Sequence, residues 1–148
     1  MRPAALLALV LTLSSLAPLR AARAADNAIW PATRAGDLAH GWVAAFATGA
    51  DSMKTFIERN LAPRSLAERD VRVRVERYRT LREQYGRLQL ASIVSASPTA
   101  VTAMLLDADA KEHEFTFTIQ DARPWKLVSV SIKEKLAGIH GMFGGFHH

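Results

Sequence analysis

A change of hydrophobic period at Leu88 constrains this chain more than any other feature. Between Thr33 and Tyr85, apolar residues recur every three or four positions; from Leu88 to Lys133 they recur every second one. The first spacing lines one face of a helix and the second one face of a strand. Helices that all precede the strands, rather than alternating with them, imply an α+β domain. The expectation is three N-terminal helices packed on one face of a four-stranded antiparallel meander.

The helical half is punctuated by Thr48-Gly49-Ala50-Asp51. Upstream, Thr33 is placed to cap a helix, Asp37 favours its positive end, and Leu38, Trp42, Ala45 and Phe46 share one face. Gly41 inside this helix is unfavourable by about 1 kcal/mol relative to alanine, a sign that another backbone packs close there. Gly49 suits the left-handed conformation that ends the helix. Asp51 is then placed to cap a second helix, which buries Met53, Phe56, Ile57 and Leu61 before Pro63 stops it. The break therefore reads as a helical hairpin. Ser65-Leu66-Ala67-Glu68 reads as a capping box that opens a third helix, running from Leu66 to Tyr85 and closed by Gly86. Its apolar stripe is Val71, Val75, Tyr78, Leu81 and Tyr85, and Arg72 with Glu76 and Arg79 with Glu83 are spaced to pair on its outer face.

In the second half, Ser97-Pro98-Thr99, the run 107–111 and Asp121-Ala122-Arg123-Pro124 separate strands expected at 88–96, 100–108, 112–119 and 125–133. Short connections make neighbouring strands antiparallel. Phe115, Phe117 and Ile119 point to one side of the third strand, and Val128, Val130 and Ile132 to one side of the fourth.

The ends of the chain read differently. Arg2, the apolar run from Ala4 to Leu13 and the Ala22-Arg23-Ala24 site have the layout of a cleaved signal peptide over residues 1–24. The competing reading, a membrane anchor, meets Ser14, Ser15 and Pro18 before the run reaches the ~20 apolar residues of a span. Stable membrane insertion is not expected. Cleavage removes Arg2, Arg20 and Arg23 and no acidic residue, so the formal charge falls from +5 to +2. The basic balance is thus largely a property of the export signal, and no nucleic-acid partner is expected. The absence of cysteine from the sequence excludes disulfides, thiolate metal sites and cysteine nucleophiles. Export without disulfides points to a bacterial periplasmic or secreted protein. The segment 136–148 combines four glycines with His140, His147 and His148. Its histidines and Met142 have the chemistry to hold copper or zinc, but the glycines make a flexible tail the plainer account. No cofactor and no metal site are expected, and the folded domain is placed at 25–135.

The order of helical hairpin, long helix and antiparallel meander resembles the nuclear transport factor 2-like superfamily. The text "AGDLAHGWVAAFATGADSMKTFIERNLAPRSLAER", followed by "VERYRTLREQYG", is similar to the helical half of accessory domains attached to bacterial serine hydrolases of the beta-lactamase-like type and to tail-specific serine peptidases. The likeness runs from about Thr33 to Ile132 and rests on layout and on the spacing of Trp42, Phe46 and Gly49. It implies a strongly curved sheet wrapped around helices into a cone, which often encloses a pocket. The sequence carries no hydrolase portion, so the implied role is that of the accessory module.

Candidate functional residues follow from the helix and strand faces. Trp42, Phe46, Phe56, Tyr78, Phe115, Phe117 and Trp125 fit either a packed interior or the lining of a small-molecule cavity. The ligand-binding set expected from the second reading is Trp42, Phe46, Tyr78, His113, Phe115 and Phe117. Tyr78 needs a hydrogen-bond partner if buried. His113 shares strand parity with Phe115 and Phe117 and reads either as a group at the cavity mouth or as a strand-end histidine. His40 lies off the buried helical face. Asp37 has the chemistry of a pocket base, but its place in a first helical turn already accounts for it. The arginines from Arg69 to Arg82 suit either an acidic partner or lipid headgroup, or a solvated helix face. No catalytic constellation is legible. The function expected is an exported, non-catalytic binding or accessory domain for a small apolar molecule or an exported protein partner, with an exposed sheet face that leaves room for a homodimer. The alternative is a small isomerase, cyclase or dehydratase that uses Tyr78 and His113. N-terminal sequencing of the exported protein should find a chain beginning near Ala25; a stable chain that keeps Met1 and sediments with membranes contradicts the processing.

Overall fold

The computed structural model describes residues 28–133. The expected signal segment, 1–24, and the glycine- and histidine-rich tail, 136–148, lie outside the described residues. The fold is α+β, with four helices followed by an open four-stranded antiparallel sheet: α1 (Arg34–Thr48), α2 (Ala50–Asn60), α3 (Pro63–Glu68), α4 (Val71–Tyr85), β1 (Gln89–Ser97), β2 (Ala100–Leu106), β3 (Glu112–Ile119) and β4 (Leu127–Lys133). The strands are paired in sequence order. Among the described residues no helix is long and apolar enough to cross a membrane.

The hairpin of α1 and α2 forms as its sequence predicts, with two differences in detail. Thr33 caps α1, its hydroxyl accepting from the Gly36 N–H at 3.0 Å. Gly49 serves both helices: its N–H donates to Ala45 at 3.1 Å and its carbonyl accepts from Met53 at 3.0 Å. It does so at φ 145°, ψ −178°, a region outside the left-handed well and open essentially to glycine alone. Because Gly49 is itself the N-cap, Asp51 makes no capping bond and sits exposed in the first turn, where its charge still meets the positive helix end. Gly41 marks a close approach, but of a ring rather than a backbone. A Cβ there would lie 3.0 Å from the Phe56 ring.

The third expected helix is two helices. Pro63 does not end a helix but opens α3, a first-turn position where its missing N–H costs nothing. The chain breaks at Arg69–Asp70, and α4 begins anew with the Asp70 carboxylate accepting from the Val73 N–H at 3.0 Å. Ser65 is therefore no cap: its hydroxyl donates to the Val128 carbonyl of β4 at 2.8 Å, which ties α3 to the sheet. The guanidinium of Arg74 closes the junction, donating to the carbonyls of Arg69 at 2.8 Å and Ser65 at 2.6 Å. On the outer face of α4 the ion pair is Arg79 with Glu76, at 3.7 Å, in place of the two expected pairs four residues apart.

In the sheet, Val101, Ala103 and Leu105 on β2 and Phe115, Phe117 and Ile119 on β3 face the helices and are buried. The opposite face carries Thr102 and Thr116, whose hydroxyls meet across the strands at 2.9 Å. Three bulges bend the sheet, two in β1 and one in β4. The β4 bulge corrects the expected parity. Leu127 pairs with Ile119 and Ser129 with Thr118, so Val128 is the extra residue: Leu127 is buried and Val128 is exposed, while Val130 and Ile132 keep the inward face. The segment after α2 runs beside this bulge, with Leu61 bridging Leu127 and the Ala62 N–H donating to the Leu127 carbonyl at 2.8 Å. That contact covers part of an edge strand otherwise open to pairing.

Helix α1 lies across β1, β2 and β3, and α2 packs back on α1. Helix α4 packs on α2, and α3 is the helix that meets β4. Between α1 and the sheet the core is a chain of rings: Trp42 stands 5.4 Å from Phe46, 5.8 Å from Phe115 and 5.7 Å from Phe117, and Phe46 stands 5.3 Å from Tyr78. The cost of truncation is read most cleanly at Phe46, which is fully enclosed. Phe46→Ala should lower stability by about 3–5 kcal/mol, seen as a reduced midpoint in denaturant titration; Thr116→Ala, on the outer face, should change it by less than about 1 kcal/mol.

Candidate functional site

Because α4 packs along α2 and meets the sheet near its C-terminal end, where Tyr85 lies against His113 and Phe115, a groove of about 440 Å³ remains between α4 and β4. Its floor and walls are mainly apolar: Trp42 from α1, Met53, Ile57 and Leu61 from α2 and its exit, and Leu127 and Val130 from β4, with Ser129 between the last two. Helix α4 presents Val73, Tyr78 and Leu81 at helical spacing. Beside these stand three guanidinium groups, those of Arg69, Arg74 and Arg77. The size and the mixture of an apolar surface with a few charged groups are those of a small-molecule site. A second depression of about 510 Å³ is more open to solvent and lies where Ser97 and Pro98 of the β1–β2 turn and Trp125 of the β3–β4 turn meet Thr33 and Arg34 at the start of α1.

The residues expected to bind a ligand divide into three groups. Trp42 and Tyr78 line the groove. Phe46, Phe115 and Phe117 are fully buried and support it from beneath as ordinary core. The Tyr78 hydroxyl donates to the Phe46 carbonyl at 3.2 Å, so a backbone group, not a pocket, satisfies it. Trp125, expected among the aromatic interior, is 37% exposed at φ 61° in the turn before β4. His113 is absent from the groove lining and belongs to a different cluster.

That cluster involves Asp107, which sequence reasoning passed over as turn punctuation. The carboxylate is buried at the β2–β3 turn, where it accepts from the N–H groups of Asp109 at 2.8 Å and Lys111 at 3.0 Å and from the His113 ring at 2.8 Å. The ring packs on Tyr85 with centroids 4.4 Å apart. The bond from His113, followed by that from Lys111, holds the Asp107 carboxyl below its usual range; burial acts in the opposite direction. The arrangement locks a hairpin turn onto the end of α4. Among the described residues no cluster of three potential metal ligands occurs.

Arginine positions are visible in the sequence, but not which of them border the groove. Arg69, Arg74 and Arg77 reach the groove, whereas Arg82 donates to the Gly86 carbonyl and lies 5.9 Å from the Phe46 ring centre, capping the far end of the helix. Arg74 is half-buried. Its guanidinium is pulled below its ordinary pKa first by burial and then by the neighbouring Arg69 cation, with Glu68 offsetting part of the effect.

Comparison with protein-family models, with curated proteins and with solved structures returns no match.

The depressed carboxyl of Asp107 has a pH consequence. A group whose pKa is lower in the folded state stabilises fully above its unfolded value, about 3.9, and loses that contribution as pH falls through the folded value. Melting curves of the wild type and Asp107→Asn should therefore differ at neutral pH, and the gap should narrow below about pH 4. A gap unchanged from neutral to strongly acidic pH contradicts the assignment.

Proposed function

We propose that the protein is an exported, non-catalytic binding or accessory domain, and that the groove between α4 and β4 holds a small apolar ligand or an apolar side chain of a protein partner. The observation that carries the reading is the groove itself, an unfilled volume of about 440 Å³ whose floor is continuous with the hydrophobic core. Apolar surface left open in this way gains free energy when a ligand removes it from water, by about 25 cal/mol per Å².

The helical hairpin, the curved meander and the placement of helices on one sheet face support kinship with the nuclear transport factor 2-like superfamily and its accessory domains. The apolar run and Ala22-Arg23-Ala24 site support export to the periplasm or medium. The isomerase-like alternative relies on Tyr78 and His113. Tyr78 is bonded to a backbone carbonyl, and His113 is bonded to Asp107 at the hairpin turn, so the two do not converge on one cavity. Binding is the reading that these contacts favour.

The test is a neutral apolar dye, N-phenyl-1-naphthylamine, titrated into the mature protein. Saturable fluorescence enhancement with one site per chain is expected. Val73→Trp, at an exposed position on the groove wall, should fill the volume and weaken dye binding roughly tenfold while leaving the melting temperature near that of the wild type. Absence of dye binding, or binding that Val73→Trp leaves unchanged, overturns the reading.

A further inference from the structure

We infer that the ligand of this groove is a single-chain amphiphile with an anionic head, its tail lying on the apolar floor and its carboxylate or phosphate held by Arg69, Arg74 and Arg77. The inference rests on the binding reading above and adds the chemical class.

The charge arrangement carries it. Three cations at one groove repel one another, and such clusters are normally relieved by acidic neighbours. Among the described residues, no ion pair joins Arg69, Arg74 or Arg77 to a carboxylate, and the ion pair of α4 belongs to Arg79 and Glu76 on the outer face. The acidic groups of the same junction are Glu68 and Asp70. Asp70 is engaged as the cap of α4, and Glu68 is exposed, makes no ion pair with the three and offsets only part of the effect on Arg74. Arg74 is also fixed in place by the carbonyls of Arg69 and Ser65, so its half-buried charge is preorganised at the groove.

The sequence of side chains along α4 then gives the site two ends. Arg69, Arg74 and Arg77 lie at the junction and in the first half of the helix, with Val73 among them, while Tyr78 and Leu81, from the helix midpoint onward, carry the groove wall as apolar surface. A neutral apolar molecule would leave the cations unpaired at its edge, and a small inorganic anion would leave the floor open to water. An amphiphile satisfies both ends. Planar guanidinium groups bind carboxylate and phosphate through charge-assisted hydrogen bonds, so both head chemistries fit.

The experiment displaces the bound dye with four ligands of one tail length: decanoate, decyl phosphate, decanol and decyltrimethylammonium, each below its micelle concentration. Decanoate or decyl phosphate should compete at least tenfold better than decanol, with the cationic ligand weakest; whichever anion competes better identifies the head. The advantage should shrink as salt is raised. Arg77→Gln, at an exposed position, should remove most of the advantage that the anionic ligands hold over decanol, both measured on the same variant. Equal competition by all four ligands overturns the anionic class while leaving the binding reading intact. Failure of the dye itself to bind removes both.

Discussion

The indole of Trp42 is the contact on which the arrangement of this molecule depends. It meets Phe46 on its own helix and Phe115 and Phe117 on the sheet, all at centroid distances under 6 Å, so one side chain fixes α1 against the sheet. With α1 seated over β1 to β3, the turn at Gly49 sends α2 back along it, and the ring of Phe56 fills the space that Gly41 leaves. Helix α4 then reaches the core along α2, through Tyr78, whose ring stands edge-on to Phe46, and through Leu81 and Tyr85 farther along the helix. Its first half stands off from β4. The groove is the geometric remainder of this packing, and the edge of the same indole forms part of its floor.

The β4 strand explains why the remainder is not simply closed. Its bulge at Val128 turns one carbonyl toward Ser65 and leaves the Leu127 carbonyl to Ala62, so the short α3 docks at the start of the strand and goes no further. Beyond that point Val130 faces the groove with no helix directly over it. A sequence designed only for stability would fill such a space with a large apolar side chain from α4. Here the positions that face it include Arg74 and Arg77, which keep it open and charged. A volume bordered by Arg69, Arg74 and Arg77, none of which joins an ion pair among the described residues, is a poor solution for packing.

How much of this was legible depends on whether local or tertiary forces decide each residue. Gly49, Thr33 and the period change at Leu88 act locally, and the hairpin and four strands follow from them with boundaries shifted by one or two residues. Ser65 reads as a cap in sequence, whereas in the structure Asp70 caps α4. The choice falls on Asp70 because the Ser65 hydroxyl is taken by a carbonyl 63 residues away, which no local pattern reveals. Val128 was misassigned for a similar reason: alternation counts residues, and a bulge removes one from the count. The aromatic set was recognised, but fully buried Phe115 and groove-lining Trp42 look alike in sequence. Asp107 read as a turn former, and its bond to His113 became visible only with the strands in register. The arginines from Arg69 to Arg82 recur so often that helical spacing alone could not say which three border the groove.

The account stands most directly on where a ligand lies. The decisive measurement is an intermolecular nuclear Overhauser experiment on mature protein with methyl-labelled side chains and unlabelled decanoate. Cross-peaks from the alkyl chain to the methyl groups of Met53, Leu81 and Val130 are expected, since these residues line the groove from α2, α4 and β4. Cross-peaks confined to Ala96 and its surroundings near Trp125, or none to the three groove residues at saturating decanoate, would contradict the claim that the space between α4 and β4 is a binding site.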